Sequence, residues 1–431
     1  MKNEQESAIL EILNNKCKKM KILLIAPKCY PVNGAEAIVN IKMLRAMSED
    51  GNFEIDLVSR RNSKIVYPSD SIDSHGVKIH GLYIIDNKGG FSLRVLWESL
   101  LSLFIFKAAF PGCHWAVRAL PIINKLIRDN HYDFVLTKSS PSLLLGAYVK
   151  KKKGLKWVAS WNDPYPMSFY PSPYGKGKDH KHCVWDKLQI SLMRKADFHI
   201  FPTKALKNYM SSYLHVDEDK CFIIPHVVFE DTVKPVIDSL NDKDNVLRII
   251  HSGNLASPRN PRPVINVISK IVKKEHETKF HFTFLGNMEQ DDKDYIDSMP
   301  YLKDYVSILP MVEYHKSLEI LATQDLACVI EADCGYGGGV FLPTKVTDFM
   351  QIHKPMFTVS PKGGVLEDMY KEGSVGYFAD IQDENSIYEE LMRIFQDYSK
   401  GVLKKSRVPE SFRPESVATE YKKIAKKIKI N

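Results

Sequence analysis

The stretch KILLIAP (Lys21–Pro27) decides the predicted fold, because it is a short apolar run that ends at a proline. A run of this kind predicts a buried strand of a parallel sheet, with both faces covered. The turn Asn33–Gly34 follows, and apolar residues then recur at helical spacing until Gly51. The next apolar run, FEIDLVS (Phe53–Ser59), predicts a second strand, so the segment is a β-α-β unit with an expected right-handed crossover.

This alternation continues along the 431 residues in two series. The first ends with CFIIPHVV (Cys221–Val228), and a polar segment with Pro235 and the cluster NDKDN (241–245) reads as a linker. The second begins with LRIIHSGN (Leu247–Asn254). Two series predict an α/β fold with two Rossmann-like, doubly wound parallel-sheet domains facing one another across a cleft. The other predicted strands are 133–139, 156–161, 197–203, 279–287, 305–310, 325–330 and 354–360.

The predicted boundaries follow from these series. We expect an N-terminal Rossmann-like domain over residues 1–228, a linker over 229–245 and a C-terminal Rossmann-like domain over 246–412. The last segment, 413–431, predicts an amphipathic, basic helix that could pack back on the N-terminal domain.

Charge is distributed unevenly along the chain. Residues 1–200 carry 30 Lys and Arg against 18 Asp and Glu, whereas residues 201–431 carry 30 against 34. The basic first half could attract nucleic acid, phosphorylated ligands or anionic lipid. No nucleic-acid motif is present, so nucleic acid is not an expected partner.

The seven cysteines are scattered and form no C-x-x-C pair, which is typical of a reducing cytoplasm. Residues 1–20 lack the apolar core of a secretory signal. The apolar stretch Leu93–Phe110 is interrupted by charged residues and is too short to span a bilayer. It could be a core helix, or it could rest with Lys150–Lys153 on an anionic membrane. We therefore expect a cytoplasmic protein and leave open peripheral contact with the inner membrane face.

Ligands of such domains bind beyond the carboxyl ends of the strands, so the loops there are informative. The loop Tyr30–Ala37 places Gly34 at the start of a helix, where free amides suit phosphate, although Gly34 could simply form a turn. The loop Ser252–Pro263 carries Arg259 and Arg262, which could clamp phosphate oxygens or be solvated.

The loop and helix CGYGGGVFLPTKVTDFM (Cys334–Met350) give the strongest signal. Gly338 and Gly339 would let backbone approach a ligand closely. Lys345 and Asp348 lie three positions apart on one helical face, where they could hold a diphosphate and a ribose, or form an ordinary surface ion pair. Thr344 would open the helix beside the donor.

A fourth loop, WNDPYPMSFYPSPYG (Trp161–Gly175), is long and rich in aromatic residues. Aromatic rings are frequent partners of sugar faces, so Trp161 and Tyr165 are predicted to contact an acceptor. Asp163 is the candidate catalytic carboxylate, with a structural Asp-Pro turn as the alternative. The acidic clusters at 217–219 and 291–294 lie in polar stretches, so no metal site is expected.

Four segments resemble the family-4 glycosyltransferases, retaining enzymes with two facing Rossmann-like domains (the GT-B fold). They are WVASWNDPY (157–165), FIIPHVV (222–228), FLPTKVTDFMQIHKPMF (341–357) and VGYFADIQDENSIYEEL (375–391). The resemblance implies that Lys345 and Arg259 neutralise a nucleotide diphosphate, that Asp348 accepts hydrogen bonds from ribose, and that Gly34 approaches the phosphates.

Two positions depart from the family pattern. Val340 stands where members often carry a first acidic residue, and Asn254 stands where a second-domain arginine is usual. An inactive or altered member is therefore an open alternative.

The function implied by the resemblance is hexosyl transfer from a nucleotide-diphosphate sugar to a glycan or lipid-linked acceptor, in surface polysaccharide or glycoconjugate biosynthesis. The resemblance further implies retention of configuration, no metal and no cofactor beyond the co-substrate. Two alternatives remain open: a nucleotide-sugar epimerase on the same scaffold, and a non-catalytic nucleotide-sugar binder.

Overall fold

The structure is a computed structural model that describes residues 19–62, 72–87, 92–230, 245–274 and 279–430. The first 18 residues and most of the predicted linker, including Pro235 and all but the last residue of NDKDN, lie outside the described residues.

The chain forms two compact units. Unit 1 comprises the described residues up to Asn162, then Lys181–Val227, and those from Ser411 onward; unit 2 comprises Asp163–His180 and Val228–Glu410. The compact units differ from the predicted 1–228 domain in two places, because the loop Asp163–His180 and Val228 group with the second sheet.

Unit 1 contains a seven-stranded sheet in the order β3-β2-β1-β4-β5-β6-β7, and every adjacent pair is parallel. Six of the strands lie where short apolar runs predict them, and β3 was not predicted. Their bounds are Met20–Ile25 (β1), Phe53–Asn62 (β2), Gly81–Asn87 (β3), Phe134–Lys138 (β4), Trp157–Ser160 (β5), Phe198–Phe201 (β6) and Cys221–Ile223 (β7).

The helices of unit 1 connect these strands, and the chain's last helix completes the unit. Their bounds are Ala35–Asp50 (α1), Leu93–Phe106 (α2), Cys113–Asp129 (α3), Ser142–Lys153 (α4), Val184–Met193 (α5), Lys204–Leu214 (α6) and, after unit 2, Pro414–Ile430 (α13). Helix α1 ends as the sequence predicts, because Gly51 adopts the left-handed conformation (φ 75°) that favours glycine.

Unit 2 contains a six-stranded parallel sheet in the order β10-β9-β8-β11-β12-β13. The strands are Val246–Ser252 (β8), Lys279–Leu285 (β9), Val306–Leu309 (β10), Leu326–Ile330 (β11), Met356–Ser360 (β12) and Tyr377–Asp380 (β13). The helices are Arg262–Lys273 (α7), Gln290–Asp297 (α8), Tyr314–Ala322 (α9), Thr344–Gln351 (α10), Val365–Lys371 (α11) and Glu384–Ser399 (α12).

In both sheets the strand order reverses beside the unit's first strand. In unit 1 this point lies between β1 and β4, and in unit 2 it lies between β8 and β11. Open α/β sheets bind ligands at the carboxyl ends of the strands next to this switch point. The structure therefore directs attention to the residues after β4 in unit 1 and after β8 and β11 in unit 2.

The final helix α13 belongs to unit 1 and packs on α1. The hydroxyl of Tyr421 lies 3.0 Å from the sulfur of Met43, and the ammonium of Lys422 lies 2.7 Å from a carboxylate oxygen of Asp50. Among the described helices, none combines the length and apolar character needed to cross a bilayer.

Candidate functional site

The candidate site of unit 2 lies where β8 and β11 end. His251 and Ser252 close β8, and Glu331 directly follows β11. Helix α10 begins nearby, and its first amides have no intrahelical acceptor. The site therefore combines a helix N-terminus with polar side chains at two strand ends.

Lys345, in the first turn of α10, points toward the end of β8. Its Nζ lies 3.2 Å from Nε2 of His251, and its side chain passes beside Gly253. Burial lowers the pKa of His251 well below its ordinary value, so its ring is neutral and Nε2 can accept from the ammonium. Burial also lowers the pKa of Lys345 to about 8. Within the described residues, no ion pair is recorded for Lys345, which leaves its charge uncompensated by contact.

Arg259 lies in the loop after β8 and is paired with Glu331. Its guanidinium approaches the carboxylate at 3.2–3.3 Å through two nitrogens, and the Glu331 side chain is only 9% exposed. Burial acts to lower the pKa of Arg259, but Glu331 and, more weakly, Asp163 outweigh it and raise that pKa. Arg259 is therefore a fixed cation, and Lys345 provides the excess positive charge of the site.

Aromatic residues of the loop Asp163–His180 lie against this ion pair within unit 2. The Tyr174 hydroxyl donates to Glu331 at 3.4 Å, and its ring lies 5.7 Å from the Arg259 guanidinium carbon. The rings of Tyr170 and Tyr174 also pack on Phe341, with centroids 5.6 and 5.1 Å away. The loop thus contributes directly to the surroundings of the candidate donor site.

Asp348 does not pair with Lys345. Its Oδ1 accepts a hydrogen bond of 2.7 Å from the Tyr314 hydroxyl at the start of α9. The alternative of an ordinary Lys345–Asp348 surface ion pair is therefore wrong for the described structure. Thr344 is the first residue of α10, and its carbonyl accepts from the Thr347 hydroxyl.

Gly338 has a packing reason for being glycine, whereas Gly339 has room for a Cβ. A Cβ on Gly338 would lie 2.0 Å from the backbone oxygen of Cys334, and Gly339 lies against the backbone of Gly364. The carbonyl of Gly339 accepts from the amide of Val365 at the start of α11. These glycines close the turn before α10; whether they also touch a donor stays a prediction.

The positions that depart from the family pattern differ in exposure. Val340 is 2% exposed and belongs to the apolar interior, whereas Asn254 is exposed. A carboxylate in place of Val340 would have to be buried, which would be costly without a partner.

The remaining predicted residues are distributed between the units. In unit 1, Gly34 adopts φ 84° at the N-terminus of α1, and a Cβ there would meet no atom within 4 Å. Trp161, also in unit 1, is buried, and its indole N–H lies 3.2 Å from Nδ1 of His199. In unit 2, Asp163 is exposed and Tyr165 is half-buried. The structure thus brings Arg259 and Lys345 together with Asp163 in one unit and places Gly34 and Trp161 in the other.

Sequence reasoning missed His251, Glu331 and Tyr174. The first two had a usable signal, because each is a polar residue at the end of an otherwise apolar strand. The sequence signal for Tyr174 was limited to its position in a loop rich in aromatic residues. In the described part of the chain, no group of three or more His, Cys, Asp or Glu is arranged to hold a metal ion.

The sequence profile of Glycosyltransferase Family 4 matches residues 94–231, which lie mostly in unit 1. No curated protein sequence matches the chain.

Solved structures resemble the chain over nearly its whole length. A glycosyltransferase from Rickettsia africae ESF-5 gives a TM-score of 0.64 at 15% identity, covering 96% of this chain and 99% of that one. Sucrose-phosphate synthase from Thermosynechococcus elongatus gives 0.63 at 12%, covering 96% and 100%. A putative UDP-N-acetylglucosamine 2-epimerase from Listeria monocytogenes gives 0.58 at 13%, covering 96% and 98%. At these identities the likeness establishes the fold, which the transferases share with the epimerase.

The two Rossmann-like parallel-sheet units confirm the predicted GT-B fold class. The profile match adds a similarity of residues 94–231 to Glycosyltransferase Family 4, and the solved structures share the fold over 96% of the chain.

Proposed function

We propose that unit 2 binds a nucleotide-diphosphate sugar through Lys345, and that the chain transfers the sugar to a glycan or lipid-linked acceptor held by unit 1. The observation that carries this proposal is the partly buried Lys345 ammonium, which contacts a neutral imidazole at the switch point. A buried cation without a counter-ion is costly, and a diphosphate would supply the missing negative charge.

The neighbouring groups support this assignment. Glu331 and Tyr174 hold the Arg259 guanidinium in place, so it can contact phosphate oxygens without first being ordered. Because Glu331 compensates Arg259, the three charged groups Lys345, Arg259 and Glu331 sum to one positive charge. Asp348, on the next turn of α10, is our candidate for the ribose hydroxyls.

The proposed chemistry is electrostatic. As the bond between the sugar and the diphosphate breaks, negative charge grows on the departing phosphate, and Lys345 and Arg259 stabilise it. We propose that the transfer retains anomeric configuration and proceeds without a metal. Nuclear magnetic resonance of the product anomer tests the first statement, and turnover in excess chelator tests the second.

Incubation with a panel of nucleotide sugars tests the reaction class. Slow release of free nucleoside diphosphate is expected from the matching donor, because water replaces the absent acceptor. Formation of an epimeric nucleotide sugar would instead assign the chain to the epimerases, and binding without turnover would make it a binder.

Replacing Lys345 tests the site. We expect Lys345→Met to weaken binding of the best of uridine, guanosine and adenosine diphosphates by about 10-fold to 100-fold, because one charge-assisted hydrogen bond is lost. Titration calorimetry, or the ligand-induced rise in melting temperature, measures this. Lys316→Met on α9 is the control, since Lys316 is exposed and pairs with the exposed Glu319. Equal binding by Lys345→Met and wild type would remove the proposal's foundation.

We further propose that unit 1 contacts an anionic membrane surface through α2, which would bring it to a lipid-linked acceptor. The side chains of α2 are arranged with the polar side inward. Glu98 is buried and paired with Arg118 at 2.6 Å, and the buried Ser102 hydroxyl donates to the carbonyl of Ala108.

The apolar side of α2 is exposed. Trp97 is 62% and Phe104 77% exposed, and they lie on one face of the helix with four leucines. Of the two interpretations of this segment, an ordinary core helix does not fit these exposures. A contiguous exposed apolar helix face on a basic unit is typical of membrane-surface contact. The leucines are Leu93, Leu96, Leu100 and Leu103.

Sedimentation with vesicles tests this contact. We expect binding to vesicles that contain phosphatidylglycerol and a loss of about tenfold or more in affinity for Trp97→Ser/Phe104→Ser, because each ring loses its apolar transfer free energy. Trp185→Ser on α5 is the control, since Trp185 is 50% exposed and lies outside α2. Absence of wild-type protein from the vesicle pellet would refute the contact.

A further inference from the structure

A second group of polar side chains, three of them buried and one half-buried, lies in unit 1 at the carboxyl edge of its own sheet. Lys138 ends β4, Ser160 ends β5, Asn162 follows two residues later, and His226 follows β7. All four line one pocket beside the switch point between β1 and β4. The nucleotide site proposed above uses none of these residues.

Lys138 is an uncompensated cation. It is 5% exposed, and its Nζ lies 3.0 Å from the Ser160 hydroxyl and 3.4 Å from Oδ1 of Asn162. In the described ranges no ion pair is recorded for it. Glu36, the carboxylate that acts on it electrostatically, is itself 2.9 Å from Lys28 and accepts from the Ser139 hydroxyl. Burial accordingly lowers the pKa of Lys138 to about 8.

His226 and Asn162 carry unused donors. His226 is 7% exposed, and neither ring nitrogen has a hydrogen-bond partner among the described residues. Burial, helped by Lys138 and Lys42, lowers the pKa of His226 to about 3, so the ring is neutral and has one unsatisfied N–H. Lys138 only donates, so the amide oxygen of Asn162 faces it and the buried Nδ2 is left without an acceptor.

These groups share one chemical requirement. An ammonium, an imidazole N–H and an amide N–H are all donors, and buried donors without acceptors carry a cost that folding alone does not explain. A cation would be repelled by Lys138, and a neutral sugar hydroxyl would leave the charge unbalanced. An oxyanion, with several acceptor lone pairs and negative charge, satisfies all three donors.

The pocket limits the size of that oxyanion. It is small and partly open to solvent, and apolar side chains such as Val39, Met43 and Tyr421 form one wall. Only a small part of a ligand can therefore enter it.

We propose that this pocket binds the anionic group of the acceptor, a phosphate ester or a carboxylate, through Lys138, His226 and Asn162. The assignment of this anion to an acceptor rests on the transferase function proposed above. The anion site itself rests only on residues of unit 1.

The test measures binding of hexose 6-phosphate, glucuronate and uncharged hexose by titration calorimetry. All proteins carry Lys345→Met, so that phosphate binding in unit 2 is not counted. Lys138→Met and His226→Phe remove the donors while retaining bulk, and Lys204→Met, an exposed lysine on α6, is the matched control. We expect binding of one anionic sugar, a loss of about tenfold or more in Lys138→Met and His226→Phe, no loss in Lys204→Met, and no binding of uncharged hexose.

The two anion sources give different results. Binding of the phosphate alone assigns a phosphorylated acceptor, and binding of glucuronate alone assigns a uronic acid. Failure of both anions to bind, or equal binding by Lys138→Met and the control, overturns the proposal. Circular dichroism and melting temperature check folding: we expect Lys138→Met to melt no lower than the control, since an uncompensated buried charge has been removed. A lower melting temperature with unchanged anion binding would assign Lys138 to packing and also overturn the proposal.

Nucleoside diphosphate binding is measured on the Lys138 and His226 variants with Lys345 intact. If diphosphate binds but no anionic sugar does, the transferase proposal stands and the anion site fails. If the anionic sugar binds and no diphosphate does, the anion site stands and the transferase proposal fails. The pocket would then serve another activity.

Discussion

At the scale of single residues, each unit places a lysine at the carboxyl edge of its sheet, and neither lysine has a carboxylate in contact among the described residues. Lys138 is buried and Lys345 is half-buried. Lys345 contacts the His251 ring, and Lys138 contacts the Ser160 hydroxyl and Asn162 oxygen. Burial lowers the pKa of each to about 8, which means that each ammonium becomes easier to deprotonate than a surface lysine. An anion bound beside either lysine would raise that pKa again.

This shift predicts how pH changes nucleotide binding. Lys345 is protonated below about pH 8, so binding of the nucleoside diphosphate should be at full strength there. Because the bound state has the higher pKa, affinity should fall as pH rises above 8, by up to about tenfold per pH unit. Titration calorimetry at several pH values measures the slope.

Lys345→Arg provides the control, since a guanidinium keeps its proton throughout that range. Its affinity should be nearly independent of pH. A slope in Lys345→Arg equal to that of the wild type would show that another group titrates, and would contradict the role given to Lys345.

At the scale of elements, the turn before α10 requires glycine at position 338 because the backbone of Cys334 leaves no space for a Cβ. A positive φ is not the reason. Gly338→Ala would place a Cβ 2.0 Å from the Cys334 carbonyl oxygen, so the backbone would have to shift. We expect a loss of about 2 kcal/mol in the free energy of unfolding, measured by urea denaturation.

Gly339→Ala is the matched control for this turn. Its added Cβ would meet Gly364 Cα at 3.4 Å, an ordinary contact, and neither glycine has positive φ. Equal losses in the two variants would show that the close approach of Gly338 to Cys334 does not limit the turn.

At the scale of the whole molecule, the chain leaves unit 1 for unit 2 and returns with α13. Helix α13 packs one face against the rest of unit 1, and Tyr421 on that face is fully buried. The core of unit 1 therefore contains a segment from near the C-terminus. We expect Tyr421→Ala to cost about 3 kcal/mol or more in the unfolding of unit 1, because a large buried side chain leaves a cavity.

Tryptophan fluorescence can follow that unfolding selectively, because all five tryptophans, at positions 97, 115, 157, 161 and 185, belong to unit 1. Lys423→Ala is the control on the exposed side of α13, where Lys423 pairs with Glu420. A cost for Tyr421→Ala no larger than for Lys423→Ala would mean that unit 1 folds without α13.

The sequence by itself determined the two sheets and the first cation of the site. Short apolar runs, glycine turns and helical periodicity are local properties, so they located β1, β8 and β11, and the loop into α10 indicated Lys345. The first residue of α10, Thr344, was also predicted.

Only the tertiary structure decided which side chains meet. Lys345 and His251 are 94 positions apart, and Arg259 and Glu331 are 72 apart, so no local pattern could pair them. The same holds for the loop 163–180 joining unit 2 and for α2 turning its polar side inward, since both depend on which surfaces are available to pack against. Local periodicity specifies the elements, whereas burial and charge compensation between distant segments specify the site.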